Sequence, residues 1–150
     1  MSDLADPRHY PERPFLAVSA AIVRAGRVLV VRRARPPGHG VFTFPGGVVE
    51  AGETLLNAVV REVREETRLT IAPLALAGHR EMIVRDSDGR IGRHFVILCF
   101  AAHWLAGEPD LNDELAEARW VALEEINALT TTDGLAEIAE AAFALAGQND

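Results

Sequence analysis

Cysteine is almost missing from this chain of 150 residues. Cys99 stands alone, so no internal disulfide can form, and nothing asks for an oxidising compartment. Long apolar runs are missing too. The longest, Phe95 to Ala102, is far shorter than the roughly 20 residues a membrane-spanning helix needs. Met1 to Pro14 is a polar, proline-bearing arm without the apolar core of an export signal, so the expectation is a cytoplasmic protein. Positive charge is in deficit: 15 basic residues against 22 acidic ones give a formal charge of -7, which disfavours nonspecific attraction to nucleic acid or to an anionic membrane. Small phosphorylated ligands stay compatible with that charge if a metal ion screens the carboxylates. There is no internal repeat and no low-complexity segment. What is present, 49% hydrophobic and 25% charged residues, suffices for one globular domain with a substantial core, expected over residues 15–147.

Hydrophobic patterning and turn residues divide that domain. Phe15 to Val23 reads as a strand, Ala25-Gly26 as a turn and Arg27 to Val31 as the second arm of a hairpin. Arg32, Arg33 and Arg35 lead into a Pro- and Gly-rich loop. Val41 to Phe44 reads as a short strand ending at Pro45-Gly46-Gly47, whose glycines permit positive φ and leave room for a ligand against the backbone. Thr54 is a candidate N-cap for a helix on which Leu56, Val59, Val60 and Val63 form one buried stripe. Leu74 to Val84 and Ile91 to Trp104 read as strands joined across Asp86-Ser87-Asp88-Gly89, with Phe95 to Phe100 buried on both faces. A polar loop, Gly107 to Glu117, precedes a short strand at Arg119 to Ala122 and a short helix at Leu123 to Leu129. Thr132 or Asp133 is expected to cap a last helix that runs to Ala146 and closes at Gly147.

The chemistry concentrates between Gly47 and Leu69. Glu62, Glu65 and Glu66 crowd one helix face beside the apolar stripe, although like charges three and four apart cost roughly 0.2–0.5 kcal/mol per pair. Stability alone would not choose that face. A bound cation reverses the sign of the effect, and hard oxygen donors without cysteine or paired histidines suit Mg2+ or Mn2+ better than Zn2+.

Gly47, Glu53, Arg61, Glu62, Val63, Glu65, Glu66 and Leu69 match, in order and spacing, the signature of the Nudix hydrolases, with Arg68 where that signature has glycine. The chain therefore resembles that family. The resemblance implies an α/β fold, a Nudix-like α/β/α sandwich with a mixed β-sheet, the glutamate helix on one side and the C-terminal helix on the other. It implies Mg2+-dependent hydrolysis of a phosphoanhydride, with Glu62, Glu65 and Glu66 as metal ligands, Glu53 supporting the site and Arg61 orienting the acids. Family members often add a ligand or general base from a loop before a tryptophan-bearing strand, and Glu114, six residues before Trp120, takes that place ahead of Glu117. Glu65 competes with Glu114 as the base. Glycine at 68 would suit a left-handed helix end, so Arg68 either accepts strain of order 1 kcal/mol or ends the helix differently.

Arg32, Arg33, Gly46, Gly47, Arg80 and Arg93 are candidate substrate contacts, and Arg35 could serve with them or simply end a charged strand. Two substrates compete. One is a nucleoside diphosphate linked to another group, such as ADP-ribose or a sugar nucleotide; the other is a nucleoside triphosphate. A Nudix-fold sensor that binds a nucleotide without cleaving it is a different class, disfavoured by the intact acids, and an isomerase would have only Cys99 for its chemistry. His39, His79 and His94 read more simply as surface or packed side chains, Trp120 as core, and Phe42, Phe44 and Phe95 as packing residues before base-stacking ones. The partner expected is a small nucleotide; pairing of the N-terminal strands into a homodimer fits the family, though no residue demands it.

Overall fold

The computed structural model describes residues 8–35 and 40–147. Among these residues ten elements follow in order: β1 (Phe15–Arg24), β2 (Arg27–Arg33), β3 (Phe42–Thr43), β4 (Gly46–Val48), α1 (Leu55–Thr67), β5 (Thr70–Arg85), β6 (Ile91–Ala106), β7 (Leu115–Val121), α2 (Leu123–Ile126) and α3 (Leu135–Ala146). The strands form one mixed sheet in the order β3-β2-β1-β6-β5, with β4 paired to β1 and β7 to β2. β1 and β6 run parallel, Phe15 opposite Phe95 through Val23 opposite His103, while β5 and β6 form a long antiparallel hairpin.

Alternation along the central strands feeds two cores. Val18, Ala20, Ile22, Phe100 and Ala102 pack against Val59 and Val63 of α1. The intervening side chains, Ala21, Val23, Cys99 and Ala101, meet Leu135, Ile138, Ala139 and Ala142 of α3 on the opposite face. The result is the expected α/β/α sandwich with a mixed sheet. Gly78 lets α3 close onto β5, since a Cβ there would sit 2.9 Å from Ile138 Cγ1. Among the described residues no helix is long and apolar enough to cross a membrane.

Local chemistry explains the turns. Ala25 (φ 50°) and Gly26 (φ 76°) both take left-handed backbone in the two-residue loop between Arg24 and Arg27, the geometry whose twist matches paired strands. Thr54 caps α1, its Oγ1 accepting from the Asn57 N–H at 3.1 Å. Arg68 ends that helix in the left-handed conformation (φ 65°), its N–H donating to the Arg64 carbonyl, so a non-glycine residue carries the strain.

Several expectations shift. The buried stripe of α1 runs through Ala58, Val59, Val63, Glu66 and Thr67, and Leu56 is 49% exposed because Leu55 takes the inward position. The continuous buried run of β6 is Cys99–Ala102; Phe95 and Ile97 are only half-buried, since their face of the sheet lines a cleft. β7 begins at Leu115, inside the stretch expected to be loop, and α2 ends at Ile126. Gly134, not Thr132 or Asp133, holds the N-cap position of α3, with no side-chain cap. Val41–Phe44 contributes only the two residues of β3.

Candidate active site

β4 was expected to be loop. It is instead the short strand that brings Gly46 and Gly47 between β1 and α1, and neither glycine takes positive φ. Both are required by close approach of the protein to itself. A Cβ on Gly46 would stand 2.0 Å from the Val18 carbonyl oxygen, and one on Gly47 would stand 2.3 Å from Glu62 Oε2. The Gly46 N–H donates to Glu66 Oε1 at 2.9 Å.

Arg61 organises the exposed side of the helix. Its Nε donates to Glu53 at 2.6 Å, Nη1 to Glu62 at 2.9 Å and to Glu65 at 3.2 Å, and Nη2 to Glu53 at 2.9 Å and to the Val48 carbonyl at 3.1 Å. One fork thereby joins three carboxylates to the glycine strand. Glu53 also accepts from the Glu50 N–H at 3.0 Å. The Arg61 guanidinium, followed by that N–H, holds the Glu53 carboxyl down at about 2.

Glu66 lies in a different environment. It is 3% exposed, and burial, with the nearby charges of Glu62 and Glu114 adding to it, pushes its carboxyl up to about 8 despite the Gly46 N–H and the attraction of Arg33. Glu62 is raised as well, chiefly by burial, with Arg61 opposing. Glu65 is the outermost of the three.

The loop before β7 is tied to the end of α1. The Asp110 N–H donates to the Thr67 carbonyl at 3.0 Å and the Asn112 N–H to the Glu66 carbonyl at 3.1 Å, which satisfies two of the acceptors a helix end leaves open. Asn112 Oδ1 then accepts from the Glu114 N–H at 3.0 Å. Glu114 is thereby set beside Glu62 and Glu66. Glu117, by contrast, forms ion pairs with Arg32 and Arg119.

A cleft of about 740 Å³ starts at these carboxylates and runs over the sheet face toward α3, within the size range usual for small-molecule sites. Glu62, Glu65, Glu66, Glu114, Arg61, Arg33, Gly46 and Gly47 line one end; Arg80 and Arg93 line the floor beyond. Arg32 does not line the cleft, because its side chain turns to Glu117 at 3.2 Å, and Glu53 sits behind Arg61. Arg80 is half-buried, and burial lowers its affinity for the proton while Asp133 opposes the change. Along that floor Arg80 is opposite Ile97 and Met82 opposite Phe95.

Phe44 and Phe95 line the cleft, whereas Phe42 packs in the core. His79 and His94 do not line it, and His39 lies outside the described residues. Trp120 packs half-buried on the α1 side, its Nε1 buried without a hydrogen-bond acceptor among the described residues. Cys99 borders the cleft, but burial pushes its thiol up to about 11, unlike a nucleophile's. Sequence reasoning missed Asn112, Asp133 and Arg8 as cleft residues. Asn112 carries a faint signal, an Asn two residues before Glu114 in a turn; Arg8 and Asp133 carry none.

Among the described residues no three carboxylates or histidines are drawn close enough to hold an ion as they stand, and Arg61 is paired with Glu62 Oε1 and with Glu65. The donor set nonetheless fits a hard divalent cation. Glu66 is a buried carboxylate beside two further acids, and positive charge there would relieve its desolvation.

A family model described as the NUDIX domain matches residues 13–142. An ADP-ribose pyrophosphatase of Methanocaldococcus jannaschii is 34% identical over 113 residues, 75% of this chain, which spans 64% of that protein's length. A Mycobacterium tuberculosis H37Rv protein named as a candidate 8-oxo-dGTP diphosphatase is 40% identical over 113 residues, 75% of this chain and 76% of that one. The crystal structure of a MutT NUDIX hydrolase from Burkholderia pseudomallei aligns at a TM-score of 0.74 and 30% identity, over 86% of this chain and 98% of that chain. Model, relatives and architecture agree with the signature on α1, and this chain belongs to the Nudix hydrolase family.

Proposed function

We propose that this chain hydrolyses the pyrophosphate bond of a nucleoside diphosphate linked to a second group, of the ADP-ribose or sugar-nucleotide type, with Mg2+ and with Mn2+ as a substitute. The observation that carries the reading is the two-ended cleft: carboxylates at one end, and past them an apolar floor bounded by Arg80. A molecule with bulky groups on both sides of its pyrophosphate uses both ends. The name of the Methanocaldococcus relative supports the same class.

In this reading Glu62, Glu65, Glu66 and Glu114 hold the metal, which when bound neutralises charge on the anhydride oxygens. Arg61 keeps Glu62 and Glu65 aimed into the cleft, with Glu53 fixing Arg61, and the Gly46 N–H orients Glu66. Glu65 or Glu114 takes the proton of the attacking water, Arg33 contacts oxygens of the anhydride, and Arg80 and Arg93 meet the second phosphate or the ribose beyond it. The domain doing this is residues 15–147. The ligand is a small nucleotide in a cytoplasmic setting, without nucleic acid or membrane, and a homodimer is compatible with the family.

The Mycobacterium relative favours a second reading, nucleoside triphosphate pyrophosphohydrolysis. Monophosphate release from ADP-ribose, UDP-glucose and deoxynucleoside triphosphates, each with Mg2+ and then Mn2+, separates the two. Faster turnover of ADP-ribose is expected, and turnover of triphosphates alone would replace the first reading with the second. Glu65→Gln and Glu66→Gln are expected to lower kcat by about 10²-fold or more with circular dichroism unchanged. Unaltered kcat in both would remove the assignment of α1 as the reacting element. Absence of any product, with nucleotide still bound, would favour a sensor.

A further inference from the structure

Residues 8–14, which lead into β1, are clamped at Tyr10. Tyr10 takes left-handed backbone (φ 52°), a strained state for a bulky side chain that persists only where its surroundings hold it. Its N–H donates to the Gly92 carbonyl at 2.8 Å, its hydroxyl donates to Asp86 Oδ2 at 2.6 Å, and the Arg90 guanidinium lies 3.8 Å from its ring centroid. Asp86 is itself fixed, since its Oδ1 accepts from the N–H groups of Asp88 and Arg90 at 3.0 Å. Tyr10 is therefore docked on the turn of the β5–β6 hairpin.

Docking decides where Arg8 goes. Two residues span at most about 7 Å of backbone, so the Arg8 backbone stays within about that distance of Tyr10, which is bonded to the residue that precedes Arg93. Arg8 and Arg93 both line the cleft. Their end of it is remote from the glutamates. Gly47, against Glu62, pairs with Val18, and Val18 pairs with Leu98, five residues along β6 from Arg93. At 3.3 Å per residue that separation is about 16 Å.

We infer that Arg8, placed by Tyr10, works with Arg93 as a distal anion subsite that reads a phosphate carried on the substrate's far end, away from the anhydride that is cleaved. The inference rests on the glutamate end being the reacting end. Two guanidinium forks suit a phosphomonoester, whose three oxygens accept paired N–H donors. Tyr10 is a positioning residue in this arrangement.

ADP-ribose and 2′-phospho-ADP-ribose, compared with Mg2+ on the full chain, provide the test. The wild-type protein is expected to show the lower KM for the phosphorylated compound. Arg8→Ala should raise that KM about tenfold, as loss of one charge-assisted contact does, with the effect on KM and not on kcat, and with a smaller effect on ADP-ribose. Arg8→Lys should recover part of the loss. Tyr10→Phe should shift KM the same way by less, because it loosens the arm without removing the cation. An unchanged KM ratio between the two compounds in Arg8→Ala overturns the inference, as does a loss confined to kcat. If neither compound is hydrolysed, the reading of the reacting end fails by itself, and calorimetric Kd values for both compounds on the same variants decide the subsite.

Discussion

Gly47 has no room for a side chain because the Glu62 carboxylate occupies the place where its Cβ would go. Gly47→Ala should therefore swing Glu62 away from Arg61 while the β1–β4 pairing survives. Expected is a fall in kcat of about 10²-fold, the size associated with a misplaced reacting group, with a small change in Tm; a variant of wild-type activity would mean that the Glu62 position is immaterial. Glu53 yields a second test through pH. Its folded value of about 2 lies below its ordinary value of 4.5, so the Arg61 contact contributes stability above the latter and loses it as pH falls toward the former. The stability gap between the wild-type protein and Glu53→Gln, measured by urea unfolding, should be open near neutral pH and narrow steadily below about pH 4.5; a constant gap would show that the contact does not depend on the carboxylate's charge. The acids of α1 were legible in the sequence because helix periodicity places residues three and four apart on one face without help from the rest of the chain. Arg8 and Asp133 were not legible, because only the folded sheet brings the arm and the α3 entry loop to the same cleft.

Helix α1 shows where local chemistry is sufficient and where it fails. Thr54 as cap and the end at Arg68 follow from backbone hydrogen-bonding needs that neighbours in sequence meet. The inward choice of Leu55 over Leu56 does not, since one residue of rotation is decided by packing against the core on that side of the sheet. β4 was hidden for a related reason: Pro-Gly-Gly has turn composition, and only its pairing with Ala17 to Ser19 makes it a strand. Arg68 is the testable point in this element. Left-handed backbone costs a side-chain-bearing residue about 1–2 kcal/mol, and glycine avoids that cost while losing more freedom on folding. Arg68→Gly should accordingly stabilise the protein by about 0.5–1 kcal/mol in urea unfolding, with unaltered kcat. A destabilised variant would mean that the arginine side chain contributes more than its backbone strain removes.

Charge is distributed unevenly over the fold. The class of architecture was legible because two apolar faces per central strand, with a helix after each half of the sheet, leave few arrangements other than a sandwich. The cleft was not, since it depends on β6 having its odd-numbered face covered by α3 only from Cys99 onward. Every one of the 15 basic residues is arginine, and several face that cleft although the chain as a whole carries -7. An anionic ligand is thus repelled by the net charge of the chain, while in the cleft arginines offset the carboxylates, a balance that salt alters, because screening at about 0.15 M acts beyond roughly 8 Å. Arg80 is the half-buried cation on the cleft floor, so part of the attraction should come from it and should resist screening. Arg80→Ala is expected to raise KM for ADP-ribose about tenfold at low salt, the loss of one charge-assisted contact. Between about 0.05 and 0.5 M salt, KM of the wild-type protein should climb as its rim arginines are screened, and KM of Arg80→Ala should climb by the same factor from its higher start. Convergence of the two curves at high salt would place Arg80 among the screened rim charges and remove the contact proposed between it and the substrate's second group.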